Sequence, residues 1–168
     1  MSAHELSPAA LAEVVDVAQT VLGTVGFGAE RAGGSLADAV EDLFVVERHY
    51  SENALFEGFG VVSMGELVGQ PAVKFLIRNT DYSAPELYEL IAPHIDPELA
   101  HLTYSMQEGI LEVAAPNVTK RRGVEWLAEH TGVAQQETIA FGDMPNDIEM
   151  LQWSGLSLIH ISEPTRPY

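Results

Sequence analysis

An α/β chain is predicted, with an α+β layer over its first two-thirds and a piece of a parallel, Rossmann-like sheet at its end. Three observations carry this. Apolar residues make up 46% of the 168 positions, enough for a packed core. Periodicity alternates between helical and extended spacing up to about residue 110. The remainder then changes to helix, apolar strand, acidic loop and helix.

Ser7-Pro8 reads as a helix start, Ser at the N-cap and Pro in the first turn, with Leu11, Val14, Val15, Ala18 and Leu22 at helical spacing and Gly23 as the stop. Thr24 to Glu30 reads as a strand and Gly33-Gly34 as a break. Ser35 to Glu47 is ambiguous, because Leu36, Ala39, Val40 and Leu43 fit a helix while LFVV fits a strand. Tyr50 to Gly69 is expected to be loop with short pieces. Ala72 to Ile77 is a strong strand, and Ser83 to Ala92 a helix with a capping-box pattern of Ser83 and Glu86. Leu99 to Ser105 and Ile110 to Ala114 read as strands. Lys120 to His130 is a helix stopped by Gly132, Thr138 to Phe141 a short buried strand, and Asp147 to Trp153 a last helix.

Composition excludes several functions. With 25 acidic against 8 basic residues, the net charge of −17 disfavours nucleic acid and anionic membranes as partners. The absence of cysteine removes disulfides, zinc-thiolate sites and thiol nucleophiles. Glu5, Glu13 and Asp16 interrupt the apolar N-terminal run, no basic segment precedes it, and no stretch is long enough to span a bilayer, so a cytoplasmic location is expected. The six histidines have no metal-binding spacing, and Gly26-Phe27-Gly28 is not followed by the helix a dinucleotide fingerprint needs. Nothing fixes an oligomeric state.

The chemistry is concentrated in Gly142-Asp143-Met144-Pro145-Asn146-Asp147, directly after the apolar TIAF strand. The carboxyl end of a parallel strand is where α/β proteins place ligands. Gly142 permits a sharp turn. Asp143 and Asp147, with the Asn146 amide between them, offer hard oxygen donors of the kind Mg2+ takes together with phosphate and water. Asn146 or Asp147 could equally be an ordinary helix cap. Lys120, one helix and one strand upstream, supplies a cation suited to phosphate oxygens.

Taken together, NVTKRRGVEWLAEHTGVAQQETIAFGDMPNDIEML resembles the third and fourth motifs of Cof-type phosphatases of the haloacid dehalogenase (HAD) superfamily. PAVKFLIRN and the strand pair ending in GILEVAAPNVTK resemble the large cap of those enzymes. The resemblance implies a substrate-specificity cap over 1–110, the C-terminal part of the catalytic core over 111–157, and a Mg2+-dependent phosphoric monoester hydrolase acting on a small phosphorylated metabolite through an aspartyl-phosphate. It implies that Lys120 neutralises phosphate and nucleophile, that Asp143 ligates Mg2+ directly or through water, that Asp147 orients the metal's surroundings from behind, and that Asn146 hydrogen-bonds the substrate phosphate or the loop. The family's D-x-D motif, which holds the nucleophile, occurs nowhere in the 168 residues, so the chain is expected to be a truncated, inactive fragment of such an enzyme. LIHISEPTRPY, 158–168, resembles translated adapter sequence and is expected to be a non-native or disordered tail. The competing expectations are a non-catalytic α+β binding or regulatory module and, less well matched for want of a phosphoacceptor Asp, a receiver-type acidic pocket.

Overall fold

In the computed structural model, which describes residues 4–159 and for Ile159 the backbone alone, Ser7 caps α1 (Pro8–Leu22), its Oγ accepting from Ala10 N–H at 3.2 Å. Gly23, at φ 73°, ends the helix with its N–H on the Gln19 carbonyl. Leu11, Val14, Val15 and Ala18 are buried, as their spacing requires. The chain divides into two compact units after Pro116. The expected division near residue 110 falls instead inside a strand of the first unit.

The first unit is built on a six-stranded sheet in the order β3-β2-β1-β4-β6-β5. Its strands are β1 (Gly26–Glu30), β2 (Phe44–Val46), β3 (Gly60–Val61), β4 (Lys74–Ser83), β5 (His101–Thr103) and β6 (Glu108–Ala114). All pairs are antiparallel except β2 with β3. The ambiguous stretch resolves into both alternatives in succession: a short helix α2 (Val40–Leu43), then β2. Leu36 and Val40 are exposed, so only the strand half of that pattern is anchored by burial. Tyr50 to Gly69 contributes α3 (Arg48–Glu52), β3 and α4 (Met64–Val68). The N-cap of α3 is the buried Glu47, whose carboxylate accepts from Phe27, His49 and Tyr50 N–H groups. Ahead of α5 (Ala84–Ile91), Glu86 accepts from both the N–H and the hydroxyl of Ser83, at 2.8 and 2.7 Å.

Phe27 and Phe75 stack in the core at 5.6 Å and are fully buried with Ile77, Leu87, Ile91, Leu111 and Val113. Each such side chain contributes about 1.5–3 kcal/mol by leaving water. On β4, successive residues alternate faces, so Leu76 and Arg78 lie opposite Phe75 and Ile77. Leu76 joins Val46, Tyr50 and Ile110 in a second cluster, edged by Phe44, Phe59 and Met106.

The second unit contains α6 (Lys120–Thr131), β7 (Ile139–Gly142), α7 (Ile148–Trp153) and β8 (Leu156–Ile159). β7 and β8 pair in parallel, Ile139 opposite Leu156 and Phe141 opposite Leu158. Two residues of the expected tail, Leu158 and Ile159, thus belong to a strand; 160–168 lie outside the described residues. The expectation that Thr138–Phe141 is buried is corrected. Ala140 is buried, but Ile139 and Phe141 are 59% and 68% exposed, because among the described residues β7 has one partner strand and that face has no covering layer. Among the described residues, this unit buries only Ala128, Ala140 and Leu151 of its apolar side chains. With so little apolar area removed from water, it is expected to be the weaker unit. Amide exchange in Ile139–Gly142 is expected to be much faster than in Phe75–Ile77. Equal protection of the two strands would contradict this.

Candidate active site

Thr119 caps α6 through its hydroxyl, which accepts from Arg122 N–H at 3.3 Å, and Lys120 is the first residue of that helix. β7 ends at Gly142. After Asp143 and Met144, a 3-10 turn over Pro145–Asp147 leads into α7. These two helix starts bring Lys120, Asn146 and Asp147 together. Lys120 Nζ lies 2.5 Å from Asp147 Oδ1 and 3.1 Å from Asn146 Oδ1. An ammonium has three N–H donors, so one remains uncommitted, on a side chain that is 47% exposed.

Asp147 is 6% exposed and uses both oxygens. Oδ1 holds Lys120, and Oδ2 accepts from the N–H groups of Asp143 and Met144, each at 3.2 Å. Burial works against the charged form of Asp147, but the Lys120 hydrogen bond and charge and the two N–H groups outweigh it and hold the carboxyl below its ordinary value. The sign follows: a lowered folded-state value means the interaction stabilises fully above the unfolded aspartate range and is lost as pH falls through the lowered value.

Asp143 enters this network by its main chain. Its own side chain is exposed and, among the described residues, accepts no hydrogen bond and pairs with no cation. The sequence pattern suggests two equivalent carboxylates converging on one spot. The structure distinguishes them: Asp147 is turned inward to fix the loop and the lysine, and Asp143 is the carboxylate left facing outward. Gly142 also acts differently from expectation. Its φ is not positive, and what it provides is room: a Cβ there would stand 2.7 Å from Asp147 Cγ. Sequence reading missed Thr119 as a cap, although Thr immediately before a helix start is a signal for one.

Among the described residues no group of three His, Asp or Glu side chains is placed to hold a metal, and no helix is long and apolar enough to cross a membrane. One outward carboxylate fits the small share of ligands that a protein commonly gives Mg2+, the rest being water and phosphate.

The model of the haloacid dehalogenase-like hydrolases matches residues 34–159. The chain belongs to this family. Proteins similar to it include a 5-amino-6-(5-phospho-D-ribitylamino)uracil phosphatase of Bacillus subtilis, 24% identical over 127 residues, covering 71% of this chain and 46% of that protein. An HMP-PP phosphatase of Cronobacter sakazakii is 38% identical over 60 residues, covering 36% of this chain and 22% of the relative. The solved HAD superfamily protein BT1666 of Bacteroides thetaiotaomicron has the same fold, with a TM-score of 0.65 at 16% identity, over 90% of this chain and 52% of that one. The chain thus spans less than half the length of these curated relatives.

Proposed function

We infer that the enzyme carrying this chain is a Mg2+-dependent phosphoric monoester hydrolase for a small phosphorylated metabolite, and that this chain supplies its cap and part of its catalytic core. The observation that carries the reading is the clasp of Asp147 on Lys120, which holds an ammonium with one free donor beside the outward-facing Asp143 loop. In the reaction, a carboxylate from outside these residues attacks phosphorus. The ester oxygen leaves with the pair of electrons of the broken P–O bond, and water then hydrolyses the acyl phosphate. Lys120 stabilises the charge on the phosphoryl oxygens through its free donor. Asn146 keeps that ammonium pointed and stands within reach of the same oxygens. Asp147 stays ionised and unreactive, orienting Lys120 and the loop. Asp143 is the residue that would hold Mg2+, which supplies further positive charge to the phosphate when bound. A cytoplasmic location goes with this reading. A non-catalytic binding module has no observation in its favour beyond the helix-capping chemistry of Asp147.

Lys120→Ala in the complete enzyme is expected to lower kcat about 100-fold or more with little change in Mg2+ dependence. Asp147→Asn is expected to cost about 10- to 100-fold, since it loosens the lysine without removing it. Steady-state kinetics across a range of Mg2+ concentrations check both. A Lys120→Ala enzyme with parental kcat would overturn the phosphoryl-site reading.

A further inference from the structure

The chain is strongly acidic, and its cations are nearly all engaged. Apart from Arg166, which lies outside the described residues, Arg48 pairs with Glu52, Lys74 with Glu30 and Glu112, Lys120 with Asp147, and Arg121 and Arg122 with Glu125. Arg31 gives its terminal nitrogens to the carbonyls of Glu66, Leu67 and Pro71. Arg78 is different. It is 6% exposed, yet it has no carboxylate partner among the described residues. Its Nε donates to the Asn53 carbonyl at 2.7 Å, and its two terminal amino groups donate to nothing among those residues. No fully enclosed side-chain nitrogen lacks a partner, so these amino groups reach open space. That space is a cavity of about 130 Å³ bounded by Arg78, Thr24, His49, Asn53, Thr80 and Asp81.

The backbone is arranged around this cavity. Arg78 is the last residue of β4 paired on both sides, with Gly26 and Ile110. The ladder to β6 is then interrupted as far as Ser83. Such irregularities re-aim side chains beside binding sites. Asn79 fixes the wall, donating to the Thr24 carbonyl at 3.2 Å and accepting from Asp81 N–H at 2.7 Å. With Nε committed to the Asn53 carbonyl, the terminal fork that opens into the cavity matches two oxygens of one oxyanion. The cavity has room for one carboxylate or phosphate group.

We propose that the Arg78 cavity binds the oxyanion group, carboxylate or phosphate, of a small molecule. The site lies in the first unit and stands independently of the phosphatase reading, which rests on Lys120. The exposed Asp81 carboxylate opposes the anion and keeps binding weak, in the millimolar range for a bare anion.

The test uses the 168-residue chain titrated separately with inorganic phosphate and with acetate, followed by NMR at the Arg78 Nε–H and the Thr24 and Asp81 amides. Saturable shifts at these signals are expected, and the anion with the lower Kd identifies the ligand group. The shifts should persist in Lys120→Ala and vanish in Arg78→Gln. Asp81→Asn, at an exposed position that leaves the fold undisturbed, should tighten binding about 2- to 5-fold by removing the opposing charge. This variant decides the matter even where Arg78→Gln fails to fold. Shifts confined to the residues around Lys120 with both anions, or unchanged or weaker affinity in Asp81→Asn, would overturn the proposal.

Discussion

Asp143→Asn in the complete enzyme is expected to lower turnover by orders of magnitude, with the deepest loss at limiting Mg2+. The two aspartates of the loop are not alternatives for each other. Asp147 is buried and holds Lys120 and two N–H groups, whereas the Asp143 carboxylate is exposed and unengaged among the described residues. Only Asp143 is therefore available to a cation, and an amide in its place offers a weak oxygen donor without charge. The replacement leaves the Asp143 N–H on Asp147 untouched, so the loop keeps its shape and the loss reads on the metal alone. Turnover measured against Mg2+ concentration should show a raised requirement together with a lowered plateau. An Asn variant with near-parental turnover at limiting Mg2+ would make Asp143 a turn residue, because Asn serves as well as Asp in turns and caps.

The purified 168-residue chain, assayed alone with a generic phosphate ester, is expected to show turnover several orders of magnitude below that of an enzyme with the full set of family motifs. No D-x-D occurs in the sequence, and in the proposed reading the groups gathered at Lys120 orient and neutralise without attacking phosphorus. Loss of a covalent nucleophile removes most of the acceleration that such a site provides. The relevant measurement is Mg2+-dependent release of inorganic phosphate. Robust turnover by this chain would require a nucleophile among its own residues and would overturn the roles assigned to Lys120, Asn146 and Asp147.

Much of the fold is legible in the sequence where local chemistry decides structure. Ser7 with Pro8, Ser83 with Glu86, and Gly132 after α6 mark helix ends through backbone hydrogen bonds that depend on residues only a few positions apart. Lys120, Asn146 and Asp147 are legible as neighbours through the family motif they share. What is not legible depends on distant partners. The apolar run Thr138–Phe141 signals a buried strand, but burial requires a covering layer, and β7 leaves Ile139 and Phe141 exposed. Which of Asp143 and Asp147 is already engaged depends on the N–H groups that the loop turns inward, and the motif gives the same letter for both. Arg78 is hidden in an apolar strand, and only the structure shows that, among the described residues, no carboxylate pairs with it.

Asp147 binds in two directions of very different reach. Its Oδ2 contact with the Asp143 amide closes a span of 4 residues, while its Oδ1 contact with Lys120 closes one of 27. For a flexible chain the longer closure costs about 1.7 kcal/mol more in conformational entropy. On this ground the loop is expected to keep its shape in states where the lysine has let go, with the ion pair giving way first as the unit loosens.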